Sequence, residues 1–118
     1  MKSKKGVYII DDDSGIREIL TSMLEEEYKV SAFERGRDAI KKMKSNDPSM
    51  LLLDYYLPGE KTEEIVDEIK SMRGDIPIVL MSANLTLSQS ADKIGVNEFM
   101  RKPFSRDTLI NVVEKYIH

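Results

Sequence analysis

The sequence predicts an α/β domain built on a parallel sheet with helices on both faces, and three observations carry that prediction. Short β-branched or aliphatic runs alternate with stretches whose apolar residues recur at helical spacing. The strongest runs are apolar at every position, not every second one, as expected of strands covered on both faces. At 118 residues and 41% hydrophobic content the chain has room for one core and no second folded unit, so residues 1–118 read as a single domain.

Val7 to Ile10 is the first such run, and it ends in Asp11. From Ser14, Ile16, Ile19, Leu20, Met23 and Leu24 form one helical stripe, with Asp13 or Ser14 as N-cap. Tyr28 to Phe33 alternates loosely as a second strand, and Ala39, Ile40 and Met43 mark a short helix that Asn46-Asp47-Pro48 stops. Met50 to Leu53 is a fully apolar third strand ending in Asp54, before Leu57-Pro58-Gly59 turns the chain. Ile65, Val66, Ile69 and Met72 line the next helix, Gly74-Asp75 ends it, and Ile76 to Met81 is a fourth strand with Ser82 at its end. A weaker helix is expected around Leu87 to Ile94, then Gly95 and a short strand near Val96 to Met100. Ser105 caps a final helix carrying Leu109, Val112, Val113, Tyr116 and Ile117. Such strand-helix units form parallel sheets through right-handed crossovers, and ligands sit outside the carboxyl ends of the strands, where strand order reverses.

Composition narrows the chemistry. Zero cysteines removes thiol catalysis and thiolate metal sites and fits a reducing compartment. The net charge of −3 argues against affinity for phosphate backbones, so no direct nucleic-acid binding is expected. The basic start, Met1 to Lys5, is followed only by Val7 to Ile10 before three aspartates, too short for a signal peptide, and no segment is fit to span a membrane. The expected location is the cytoplasm.

The predicted strand ends deliver Asp11 and Asp12, Asp54, Ser82 and Lys102 to one edge. Clustered carboxylates repel one another unless a cation sits among them, and all-oxygen donors suit Mg²⁺. A carboxylate can also attack phosphorus, provided that a metal and a lysine neutralise the phosphoryl oxygens.

These residues resemble the receiver domains of two-component response regulators, of the kind that chemotaxis regulators represent. The resemblance rests on Ile9-Ile10-Asp11-Asp12-Asp13, Leu53-Asp54-Tyr55-Tyr56-Leu57-Pro58, Met81-Ser82-Ala83 and Lys102-Pro103-Phe104, and spans nearly the whole chain. It implies a flavodoxin-like (βα)5 sandwich with strand order 2-1-3-4-5. It also implies that Asp54 is the phosphoacceptor. Asp12, Asp54 and the Tyr56 carbonyl would ligate Mg²⁺, with Asp11 acting mainly through water; Mn²⁺ could substitute. Ser82 and the Ala83 N–H would bind phosphoryl oxygens and Lys102 would pair with another, aimed by a cis bond to Pro103. Ser82 and Phe99 would be the switch pair that remodels the surface of the fourth helix, fifth strand and fifth helix. Tyr56 and Asn84 fall at positions that tune the lifetime of the phosphoryl group. The chain departs from the family at Thr62, where glycine is usual; Thr62 is expected to cap the helix that presents Ile65.

The function so implied is a phosphoacceptor switch, not a turnover enzyme. Its phosphoryl donor is a sensor histidine kinase or histidine phosphotransfer protein that docks near the first helix, where Ile16 and Leu20 lie. The last helix finishes at His118, so a stand-alone receiver and a domain cut from a longer protein with its own output domain both stay open. A phosphorylation-dependent dimer is among the partners that the resemblance allows; the downstream target is not readable. Two alternatives stand beside it: a phosphorylation-independent interaction module on the same fold, and a haloacid-dehalogenase-type Mg²⁺ phosphatase, suggested by the spacing of Asp11 and Asp13. Outside the family pattern, Asp13 reads as an N-cap, Tyr8 and Phe104 as core, and His118 as too near the terminus for a general base.

Overall fold

The computed structural model describes residues 3–84 and 94–117. The expected fourth helix, save Ile94, and His118 lie outside these residues. Within them, β1 (Gly6–Ile10), β2 (Lys29–Phe33), β3 (Met50–Asp54), β4 (Ile78–Ser82) and β5 (Glu98–Arg101) form one sheet in the order β2-β1-β3-β4-β5, every pair parallel. The helices are α1 (Ser14–Leu24), α2 (Gly36–Met43), α3 (Thr62–Met72) and α4 (Arg106–Tyr116), the last being the fifth helix of the sequence reading. The strand order and the five-stranded parallel sheet are as the resemblance implied.

Alternation along each central strand feeds two separate cores. Tyr8, Ile10, Leu51, Leu53, Ile78 and Leu80 pack with α2 and α3 through Ala39, Ile40, Ile65 and Ile69. Their neighbours Val7, Ile9, Met50, Leu52, Val79 and Met81 pack on the other face with α1 and α4 through Leu20, Leu24, Leu109 and Val113. Because each face is covered, β3 and β4 are buried at every position.

The local signals act where the residue types allow. Asp13 caps α1, its Oδ1 accepting from the N–H groups of Gly15 and Ile16, and Ser105 caps α4 through Thr108 N–H. Gly59 sits at φ +76, the left-handed region that glycine enters without steric cost, so the chain turns after Pro58. Gly36 answers a different need: a Cβ there would lie 2.9 Å from Ile65 Cδ1, so only glycine lets α2 approach α3 this closely.

Ile19, on the apolar stripe of α1, is 54% exposed, so the buried face is narrower than the apolar pattern. One expectation fails. Thr62 does not cap α3: Lys61 holds the N-cap position and makes no side-chain cap bond, while Thr62 is the first helical residue.

Candidate functional site

β1 lies between β2 and β3, so the chain leaves the ends of β1 and β3 toward opposite sides and opens a crevice there. Asp11 follows β1 and Asp54 ends β3. Carboxylate oxygens of Asp11, Asp12 and Asp54 all lie within 4.8 Å of one another, with Asp12 exposed and the other two buried.

Asp11 is held from several directions. Its Oδ1 accepts from Asp13 N–H at 3.0 Å and its Oδ2 from Lys102 Nζ at 2.6 Å. Its carbonyl accepts from Arg17 Nη1 at 2.7 Å, a bond from the first turn of α1 back to the end of β1 that no sequence motif announces. Asp54 is held more loosely, its Oδ1 accepting from Tyr56 N–H at 3.4 Å and lying 3.5 Å from Lys102 Nζ. Burial pushes the Asp54 carboxyl up to about 6, and the Asp11 charge adds to the rise; Lys102 and the Tyr56 N–H oppose it, and Asp12 adds a little more. One ammonium among three carboxylates leaves the crevice short of positive charge, and hard oxygen donors at this spacing are able to hold a metal ion.

The other expected site residues arrive at the same edge. Ser82 ends β4, is buried, and its Oγ accepts from Asn84 N–H at 3.0 Å. Ala83 beside it is exposed. Lys102 follows β5 and precedes a cis bond to Pro103. Phe99 stands apart from the cluster, opposite Leu80 in the β4–β5 register and half-buried against the core under α2 and α3. Tyr56 is 57% exposed, and its hydroxyl accepts from Asn84 Nδ2 at 3.0 Å, which joins the loop after β3 to the end of β4. Asp13, whose spacing from Asp11 suggests the phosphatase alternative, is engaged as the α1 cap.

Besides the Arg17 bond, two features escaped the sequence. The Glu60 carboxylate accepts from Gly36 N–H at 2.7 Å and Arg37 N–H at 2.9 Å, capping α2 from the loop after β3. Beside the crevice, an apolar groove of about 370 Å³ runs along α1, lined by Ile16, Ile19, Leu20 and Phe104 and reaching Ala83 and Lys102.

Comparison with known proteins agrees with this geometry. A family model described as the response regulator receiver domain matches residues 7–114. The chain is 32% identical over 119 residues to the transcriptional regulatory protein CssR of Bacillus subtilis, covering 94% of this chain and 50% of that protein. It is 31% identical over 114 residues to the DNA-binding transcriptional regulator NtrC of Escherichia coli K12, covering 94% of this chain and 24% of that one. It thus spans half or less of the length of these curated relatives. Among solved structures, the receiver domain of NtrX from Brucella abortus superposes with a TM-score of 0.86 at 28% identity, covering 94% of this chain and 97% of that one. Vibrio cholerae CheY4 superposes with a TM-score of 0.89 at 22% identity, covering 98% and 100%, and so shares the fold. Sheet order, the acidic crevice with its lysine, and a match to almost the whole chain converge: this chain belongs to the receiver domain family of two-component response regulators.

Proposed function

We propose that Asp54 is the phosphoacceptor of this receiver domain, served by a Mg²⁺ ion and by Lys102, and that the reaction is a single transfer and not turnover. The observation that carries the reading is the juxtaposition of three carboxylates within 4.8 Å and one ammonium 2.6 Å from Asp11 and 3.5 Å from Asp54. Asp12, Asp54 and the Tyr56 carbonyl would hold the ion, with Asp11 acting through water because both its oxygens already accept hydrogen bonds. Mn²⁺ meets the same donor requirement. When bound, the ion supplies positive charge to the transferring phosphoryl oxygens.

In the step itself an Asp54 oxygen bonds to phosphorus while the bond from phosphorus to the donor's imidazole nitrogen breaks, and that nitrogen keeps the electron pair. Lys102 neutralises one phosphoryl oxygen; the Ser82 hydroxyl and Ala83 N–H donate to others. Ser82 then shifts toward the phosphoryl group and Phe99, half-buried on β5, takes the space vacated, which alters the surface around β5 and α4.

The donor is a histidine kinase or a histidine phosphotransfer protein, and the groove along α1 suits a helix of that partner: it is apolar, it exposes Ile19, and it opens beside Lys102 and Ala83. No described helix is long and apolar enough to cross a membrane. A cytoplasmic setting follows from the expected donor. Incubation with a small acyl phosphate and Mg²⁺, followed by intact mass, tests the reading: one phosphoryl group on the wild type and none on Asp54→Asn or without metal is expected. Labelling that persists in Asp54→Asn contradicts it.

A further inference from the structure

We infer that Thr62 is a positioning residue of the acidic crevice, orienting the peptide unit between Tyr55 and Tyr56 and, through it, the Asp54 carboxylate and the Tyr56 carbonyl. The inference rests on the metal-binding reading above.

Both polar ends of that one peptide unit are engaged. Its carbonyl, on Tyr55, accepts from the hydroxyl of Thr62, which is 2% exposed. Its N–H, on Tyr56, donates to Asp54 Oδ1 at 3.4 Å. A peptide unit is planar and rigid, so a tilt at the carbonyl is a tilt at the N–H. The bond to Asp54 is already at the long end of the hydrogen-bond range, where a small tilt breaks it. Thr62 therefore reaches the site through a single rigid element, without touching a carboxylate.

The surroundings leave Thr62 this task. Upstream, Tyr55 N–H is anchored to Met81 O at 3.0 Å, so the chain enters the unit from fixed β-structure. Downstream, the Tyr56 side chain is tied to Asn84, Leu57 is buried in the core and Glu60 caps α2 beyond Gly59, but these contacts hold side chains past the unit, whereas the Thr62 hydroxyl holds the carbonyl of the unit itself. The hydroxyl is not spent on helix capping, since Lys61 occupies the N-cap. The Tyr56 carbonyl lies on the residue that immediately follows the oriented unit, so the same tether limits the freedom of that ligand. A glycine at this position has no hydroxyl with which to hold the Tyr55 carbonyl.

The test is a calorimetric titration of Mg²⁺ alone into wild type, Thr62→Val and Thr62→Ser, beside thermal melts in metal-free buffer. Thr62→Val keeps the shape and loses the donor; it should bind Mg²⁺ roughly three- to tenfold more weakly, the span of one hydrogen bond. Thr62→Ser keeps the donor and should bind within about twofold of wild type. Leu24→Ala, which opens the core on the other face of the sheet and touches neither the loop nor α3, should lower the melting temperature and leave the affinity unchanged. Should Thr62→Val not fold, Thr62→Ala read beside Thr62→Ser makes the same comparison. Wild-type affinity in the donor-less variant, or equal losses in Val and Ser, overturns the inference. A wild type that binds no Mg²⁺ fails the metal reading itself and takes the inference with it.

Discussion

Lys102 Nζ lies 2.6 Å from Asp11 Oδ2, and this pair, not Lys102 with Asp54, is the tight ion pair of the crevice. Asp11 is 1% exposed, so the partner of the lysine is a buried carboxylate with one remaining lone-pair side already committed to Asp13 N–H.

Removing the lysine leaves that carboxylate uncompensated among two others. Lys102→Ala should lose about 3 kcal/mol of stability in metal-free buffer. The same variant should bind Mg²⁺ more tightly than wild type, because a competing cation is gone, yet acquire the phosphoryl group more slowly. Urea melts with and without Mg²⁺, with a labelling time course, check all three.

Asp54 carries the crevice's cost of burial. Its carboxyl rises from 3.8 to about 6, so between these values the folded chain retains a proton that the unfolded chain has released. The stability so contributed is present below about pH 4 and is lost as pH rises through 6. Asp54→Asn should therefore be more stable than metal-free wild type at pH 7, by on the order of 1–3 kcal/mol. The difference should close toward pH 4, which chemical melts across the range measure.

The same proton competes with a metal ion. Below about pH 6, where Asp54 protonates, Mg²⁺ affinity should fall by up to about tenfold per pH unit, and Mg²⁺ should cease to raise the melting temperature. A thermal-shift series with and without Mg²⁺ shows this directly.

Ile19 separates docking from chemistry. It is 54% exposed at the groove along α1, so Ile19→Ala should change stability by no more than about 0.5 kcal/mol. Labelling by a small acyl phosphate should be unchanged, while transfer from a phosphohistidine protein should slow by roughly tenfold, since a central apolar anchor is lost. Parallel time courses with the two donors make the comparison.

Much of the fold was legible because β1, β3 and β4 are covered on both faces, which forces unbroken apolar runs such as Leu51-Leu52-Leu53. The edge strands β2 and β5 were read only loosely, since among the described residues one side of each faces no partner strand, and their composition relaxes. Asp11, Asp54, Ser82 and Lys102 could be picked out because each stands where a strand run stops. Glu60 and Arg17 could not: their bonds join groups with no shared local pattern. Thr62 was misread for a physical reason. Threonine favours N-cap positions, but here the hydroxyl turns back to the Tyr55 carbonyl, a choice that only the packed loop defines.

The most direct measurement is to locate the phosphoryl group by chemistry. After exposure to a small acyl phosphate and Mg²⁺, borohydride reduction converts a phosphorylated aspartate to homoserine, and peptide mass spectrometry shows which residue changed. Homoserine at position 54 alone, and only with Mg²⁺ present, is the expected result. Homoserine at Asp11 or Asp12, or none at any aspartate, would contradict the assignment of Asp54 as the phosphoacceptor.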